Sequence, residues 1–161
     1  MLTDKIVILA GGISSRMKKP VDNNFKLDEK LIKDADEKAK SMIRLGKGER
    51  PFLDYLLHNI YEASFKDVLI IIGQNDNSLK NYYLQNNLFP KLKLIFTTQF
   101  IPKGYSKPIG TSDALWQGLN AVKEWKGNSF LVVNSDNLYS IEALKTLRES
   151  EYPNTLVDKY F

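Results

Sequence analysis

Residues 5–17 read KIVILAGGISSRM. The apolar run at 5–9 carries no alternation of polar and apolar residues, as expected for a strand buried on both faces. Two glycines, two serines and an arginine follow it directly. In an open parallel sheet, ligands bind beyond the carboxyl ends of the strands, and Gly11 to Arg16 would occupy that place on the first strand. Gly11 and Gly12 let a backbone approach a bulky anion. Successive amide N–H groups can then cradle phosphate oxygens. Ser14 and Ser15 add hydroxyl donors, and Arg16 adds a permanently charged fork suited to phosphate. The same residues also suit a tight turn with a surface arginine. The loop lacks the spacing of the dinucleotide fingerprint, and no Gly-Lys-Ser/Thr follows it as in a P-loop.

Outward from this loop the pattern repeats. Apolar runs recur at 68–72 (VLIII), 92–96 (LKLIF) and 130–133 (FLVV). Helical spacing separates them. Pro51 suits a first turn leading into FLDYLLHNIYEA, with Leu53, Leu56, Leu57 and Ile60 as its inner stripe. A shorter helix is expected at 76–84. A longer one is expected at 111–125, with Leu115, Leu119, Val122 and Trp125 on one side. Ser140 is placed to cap a last helix with Ile141, Leu144 and Leu147 facing inward. Alternating strands and helices predict an α/β domain, Rossmann-like and three-layered, with a mainly parallel sheet and helices on both faces.

Residues 18–50 interrupt this rhythm with charges of both signs. A loop is expected at 18–26 and an exposed helix at 27–40, within a charged insertion at about 18–39. TLVDKYF (155–161) would begin a fifth strand, so the expected sheet is incomplete at the C-terminus. The whole of 1–161 reads as one α/β domain.

Composition narrows the class. The chain has 161 residues, a 43% apolar content and a net charge of +4. That length supports one domain with a sizeable core. The mild positive charge fits a small anionic substrate and is too weak to argue for nucleic acid. With no cysteine there is neither a disulfide framework nor a thiolate metal site, which fits a cytoplasmic protein. No apolar run approaches a membrane span, and the N-terminal stretch is too short and too acidic for a secretory signal.

Four segments together resemble the sugar-1-phosphate nucleotidylyltransferases, the nucleotide-diphospho-sugar pyrophosphorylases. LAGGISSRM (9–17) resembles their signature loop. AKSMIRLGKGERPFLDYLLHNI (39–60) resembles their lysine segment. IGTSDALWQGL (109–119) is similar to their G-T-x-x-A-L segment. FLVVNSDNLYS (130–140) is similar to their strand ending in an acidic metal ligand. The match departs in two places: a serine, Ser14, stands where a further glycine often stands, and a long insertion separates the loop from the lysine segment. Lys40 matches the family lysine best, and Lys26 competes with it.

The resemblance implies transfer of a nucleoside monophosphate from a nucleoside triphosphate to a sugar 1-phosphate, giving an NDP-sugar and pyrophosphate, with Mg²⁺. It implies Arg16 on the leaving phosphates, Lys40 on the α-phosphate and Asp136 on the metal. It places Leu9, Ala10, Gly11, Gly12, Ser14, Ser15, Gln99, Gly110 and Thr111 at the nucleotide. Gly110 would touch the base or ribose, and Gln99 the base edge, although the separation of Gln99 from Gly110 is long. Thr111 is placed to cap the helix that follows, with Ser112 and Asp113 satisfying its first free amides. Taken singly, these residues have plainer readings. Lys40 suits a solvated lysine-rich run, N-S-D-N suits a turn, and Gln99 suits a polar surface. Trp116 and Trp125 read as core or interface, and His58 as structural. A homo-oligomer is compatible with the sequence. So is a nucleotide-binding module without turnover, because the family's catalytic domain is usually longer than this chain.

Overall fold

The computed structural model describes residues 2–12, 39–74 and 76–150. The elements expected at 18–26 and 155–161, and residues 27–38 of the expected exposed helix, lie outside the described residues. In chain order the elements are β1 (Lys5–Ala10), a 3₁₀ turn (Lys40–Met42), β2 (Arg44–Leu45), β3 (Arg50–Pro51), α1 (Phe52–Glu62), β4 (Asp67–Gly73), α2 (Ser78–Asn86), β5 (Lys93–Gln99), α3 (Thr111–Ala121), a second 3₁₀ turn (Lys123–Trp125), β6 (Leu131–Asn134) and α4 (Ile141–Glu149).

Four strands form one parallel sheet in the order β5-β4-β1-β6. Successive strands step outward from β1 through β4 to β5, and the chain then crosses back to place β6 on the other side of β1. The direction of winding therefore reverses between β1 and β6. At such a switch point the loops leaving the two strands diverge and open a crevice at their carboxyl ends. β2 and β3 form a separate antiparallel hairpin.

The central position of β1 explains its unbroken apolar sequence. Ile6, Ile8 and Ala10 join Val68, Ile70 and Ile72 beneath Leu53, Leu56, Leu57 and Ile60 of α1, Leu79 of α2 and Leu144 of α4. Val7, Leu69 and Ile71 face the opposite layer, covered by Ala114 of α3 and by Val122 and Trp125. Helices thus cover both faces, as the alternating pattern predicts. Each fully buried Leu or Ile contributes about 1.5–3 kcal/mol, so these two layers dominate the stability of the fold. Ser140 caps α4, its Oγ accepting from Ala143 N–H at 3.1 Å. The helix expected over 111–125 ends at Ala121, because the backbone breaks at Val122 (φ −124°, ψ 58°) and Trp125 turns into the core. Trp116 is 67% exposed and stands outside that core. Among the described residues no helix is long and apolar enough to cross a membrane.

One charge lies deep in the larger layer. Asp54 is 2% exposed. Tyr83 Oη donates to its Oδ1 at 2.7 Å, and Arg50 Nη1 stands 3.8 Å from its Oδ2. Oδ2 is buried and accepts no hydrogen bond from the described residues. Burial pushes the Asp54 carboxyl above the ordinary carboxylate range, against the smaller opposing pull of the Tyr83 hydroxyl and of Arg50. A raised value means that the folded chain holds this proton to higher pH than the unfolded chain does. The stability linked to it is complete below the unfolded value and is lost as pH rises through the folded one. Asp54→Asn removes that dependence. The unfolding free energy of the variant minus that of the wild type should therefore climb as pH rises above the ordinary carboxylate range and level off once the folded carboxyl has ionised. Urea unfolding of both proteins across this range checks it; a flat difference would show that Asp54 ionises as freely folded as unfolded.

Candidate active site at the carboxyl ends of β1 and β6

A cleft of about 420 Å³ opens at the switch point. Its walls include Leu9 to Gly12 from the end of β1, Lys40 from the first 3₁₀ turn, Gln99 from the end of β5, Gly110 and Thr111 from the start of α3, and Asp136 just beyond β6. Every described residue that the sequence assigns to the site lines this one cleft. Ser14, Ser15, Arg16 and the competing Lys26 lie outside the described residues.

The two ends of the cleft differ in their chemistry. At one end Lys40 Nζ donates to Asp136 Oδ2 at 3.3 Å, joining segments 96 residues apart in sequence. Local structure fixes both partners. Ser41 and Met42 are 1% and 7% exposed, so the 3₁₀ turn is anchored by its buried side. Phe52 N–H donates to Ile43 O at 2.9 Å, and Tyr55 Oη to Leu45 O at 3.1 Å, which ties the short hairpin to α1. Beyond β6, Ser135 N–H donates to Leu9 O at 3.1 Å and prolongs the ladder with β1. The turn carrying Asp136 is braced by Tyr139, whose hydroxyl accepts from Asn134 N–H and Asn137 Nδ2, both at 3.3 Å. Tyr139 O in turn accepts from Asn59 Nδ2 of α1 at 2.8 Å.

The other end is built from amides, with the Asp113 carboxylate bonded to Gln99. Gln99 is 3% exposed, a wall residue and not a free surface amide. Its Nε2 donates to Gly110 O at 3.0 Å and to Asp113 Oδ2 at 2.9 Å. The separation of Gln99 and Gly110 in sequence is therefore no obstacle. β5 runs on through Thr97 and Thr98 to Gln99, past the end of the apolar run, and the following loop folds back onto it. Gly110 has φ +148°, a conformation that L side chains rarely adopt, and open space where a Cβ would point. A glycine is required there by the backbone alone. Gly11 and Gly12 play different parts. A Cβ on Gly11 would stand 3.0 Å from Gln99 Oε1, whereas one on Gly12 would meet nothing within 4 Å among the described residues. Gly11 thus makes room for the glutamine.

Two sequence readings at α3 are corrected. Gly110, not Thr111, occupies the cap position, and no side chain caps this helix. Asp113 accepts from Gln99 and Gln117 through its Oδ2 instead of satisfying free amides. Sequence reasoning also missed Ala39, Ser41, Ala114, Asn134 and Ser135 in the lining. Asn134 and Ser135 immediately precede Asp136, and Ala39 and Ser41 flank Lys40, so adjacency to the assigned residues was their available signal.

A winding reversal with a charged, glycine-edged crevice at the strand ends defines the class: an α/β protein whose ligand cleft lies at the switch point. Residues 31–155 match the nucleotidyl transferase family, and the chain belongs to that family. It is 26% identical over 149 residues to a glucose-1-phosphate adenylyltransferase of Hydrogenovibrio crunogenus, a match covering 89% of this chain and 31% of that enzyme. It is 25% identical over 146 residues to the D-glycero-alpha-D-manno-heptose 1-phosphate guanylyltransferase of Campylobacter jejuni, covering 90% of this chain and 53% of that enzyme. Among solved structures, a UDP-glucose pyrophosphorylase complexed with UDP-glucose superposes with TM-score 0.62 at 20% identity, covering 92% of this chain and 52% of that one. HddC from Yersinia pseudotuberculosis complexed with GMP-PN superposes with TM-score 0.55 at 22% identity, over 84% of this chain and 48% of that one. The α/β fold expected from the sequence is the fold these structures share. The chain spans about a third and about half of the lengths of the two curated relatives.

Proposed function

We propose that this chain forms the nucleotide side of a sugar-1-phosphate nucleotidyltransferase. The observation that carries the reading is the meeting of Lys40 and Asp136 on the β6 side of a cleft whose β5 side presents Gln99 and Gly110. A nucleoside triphosphate divides likewise into a charged tail and a base whose edge takes hydrogen bonds. The triphosphate lies toward Gly12, Lys40 and Asp136, and the base toward Gln99 and Gly110.

In the reaction, an oxygen of the sugar phosphate attacks the α-phosphorus and forms the new P–O bond. The bond to the β-phosphate oxygen breaks, and pyrophosphate leaves. The protein's part is to position the reactants and offset developing charge. Lys40 leaves Asp136 for the α-phosphate oxygens. Arg16 serves the leaving phosphates. Among the described residues no group of three or more acidic or histidine side chains could enclose a metal ion. Asp136, a partly exposed carboxylate at the cleft's charged end, suits Mg²⁺, which binds through one or two carboxylates and completes its shell with phosphate oxygens and water. Mg²⁺ held there would supply charge neutralisation at the phosphates.

The alternative reading is a module that binds the nucleotide and does not transfer it. Pyrophosphate release separates the two. The 161-residue chain is incubated with each common nucleoside triphosphate, Mg²⁺ and a set of sugar 1-phosphates, with binding measured alongside. Release above background with at least one pair is the expected result. Binding without release leaves only the module, and absence of binding at millimolar nucleotide overturns both.

A further inference from the structure

A second cavity lies at the far end of the sheet from the cleft. α3 starts at the cleft and ends beside this cavity, which reaches Phe130, the residue before β6. It measures about 450 Å³ and shares no lining residue with the cleft. Both tryptophans of the chain line it. Trp125 is 3% exposed and makes its floor, with its ring 6.4 Å from that of Phe130. Trp116 is 67% exposed and makes a wall that meets solvent. Lys123 and Lys126 line the cavity as well, and both are exposed. Neither forms an ion pair with a described residue. Glu124 stands between them in sequence but is not in the lining, which therefore holds two cations and no carboxylate. Overlapping turns fix this segment. Val122 N–H donates to Leu119 O at 3.2 Å, Trp125 N–H to Val122 O at 2.9 Å, Lys126 N–H to Lys123 O at 3.1 Å and Asn128 N–H to Trp125 O at 2.9 Å. The backbone that carries both lysines is thus shaped before any ligand arrives.

Cavities that hold small molecules measure about 300–1,000 Å³ and combine aromatic walls with a few polar groups. A flat ring entering here can lie against Trp116 in an offset or edge contact. The two ammonium groups offer charge-assisted hydrogen bonds to an anionic substituent on that ring. A ligand without the charge leaves the cations unused, and one without the ring leaves the tryptophan in water. We propose that this cavity is a second binding site, for a small molecule that joins a planar ring to an anionic group. The site is independent of the nucleotide cleft and of what the cleft does.

The test is the tryptophan fluorescence of the 161-residue chain, titrated with phenyl phosphate, inorganic phosphate and phenol. Because both emitters line the cavity, the signal reports on its occupancy. Phenyl phosphate should bind at least about tenfold more tightly than either of the other two. Trp116→Ala, read through Trp125, should weaken phenyl phosphate by about tenfold. Lys123→Gln combined with Lys126→Gln should weaken it by at least about tenfold and remove its salt dependence. These side chains are exposed, so the thermal midpoints should stay at the wild-type value. Lys40→Ala, which removes a cation from the cleft, should leave the affinity unchanged. Equal binding of the three probes, or no spectral response to any of them, overturns the proposal. So does loss of the response in Lys40→Ala, which would put the anion in the cleft. Sedimentation velocity covers the other occupant: a dimer that Trp116→Ala dissociates would give this face to a second copy of the chain and overturn the proposal as well.

Discussion

Replacing Lys40 with alanine should lower pyrophosphate release by about two to three orders of magnitude, the usual loss when a charged contact to a transition state is removed. The thermal midpoint should barely move. The pair with Asp136 has side chains 36% and 44% exposed and a separation of 3.3 Å, and exposed pairs of this kind contribute about 0–1 kcal/mol. The anchoring of the turn depends on Ser41 and Met42, which the variant keeps. A large kinetic effect beside a small thermal one is the signature of a residue that acts on the ligand. Steady-state pyrophosphate release and a melting curve on the same preparation provide both numbers. If the chain binds without turnover, the same variant should weaken Mg²⁺-triphosphate binding by about ten- to a hundredfold, as expected for a hydrogen bond to a charged group. Wild-type behaviour in both assays would remove Lys40 from the site and return attention to Lys26.

Gly118→Val should cost about 2–3 kcal/mol of stability and lower the melting temperature by about 5–10 °C for a chain of this size. A Cβ on Gly118 would lie 2.3 Å from Ile71 Cδ1 and 2.8 Å from Ile71 Cγ1, with Thr97 Cγ2 at 3.5 Å. Ile71 is fully buried, so its side chain has little space into which to retreat. Gly118→Ala places the same Cβ against Ile71 and should also destabilise, by less than valine because it adds no γ-methyl groups and recovers about 1 kcal/mol of helix propensity. Scanning calorimetry of the two variants separates crowding from propensity. A valine variant melting within a degree of wild type would mean that α3 lifts from the sheet at no cost.

Much of the fold was legible because burial on both faces leaves a plain mark. KIVIL and VLIII lie in β1 and β4, and LKLIF and FLVV overlap β5 and β6. The polar end of β5 carries no such mark, so the strand's continuation to Gln99 was not foreseen, and with it the contact to Gly110. The β2–β3 hairpin escaped because two-residue strands are too short to show any alternation. Trp116 and Trp125 have the same chemistry and opposite fates, decided by a backbone break at Val122 that periodicity does not reveal. The site residues could be picked out by type and by resemblance, and the structure gathers the described ones at a single cleft. The role of Asp113 was misread, since a carboxylate in a first helical turn usually serves that helix, whereas this one faces the neighbouring strand end.

The contact between Lys40 and Asp136 also bears on how the cleft behaves before a ligand arrives. With the ammonium and the carboxylate joined, that end of the cleft is its own counter-ion. A bare divalent cation meets a carboxylate already partnered, and a bare phosphate meets an ammonium already partnered. On the proposed function, a metal–triphosphate complex would offer each a replacement at once and conserve the ion pairs, and the cleft would favour that complex over either of its parts.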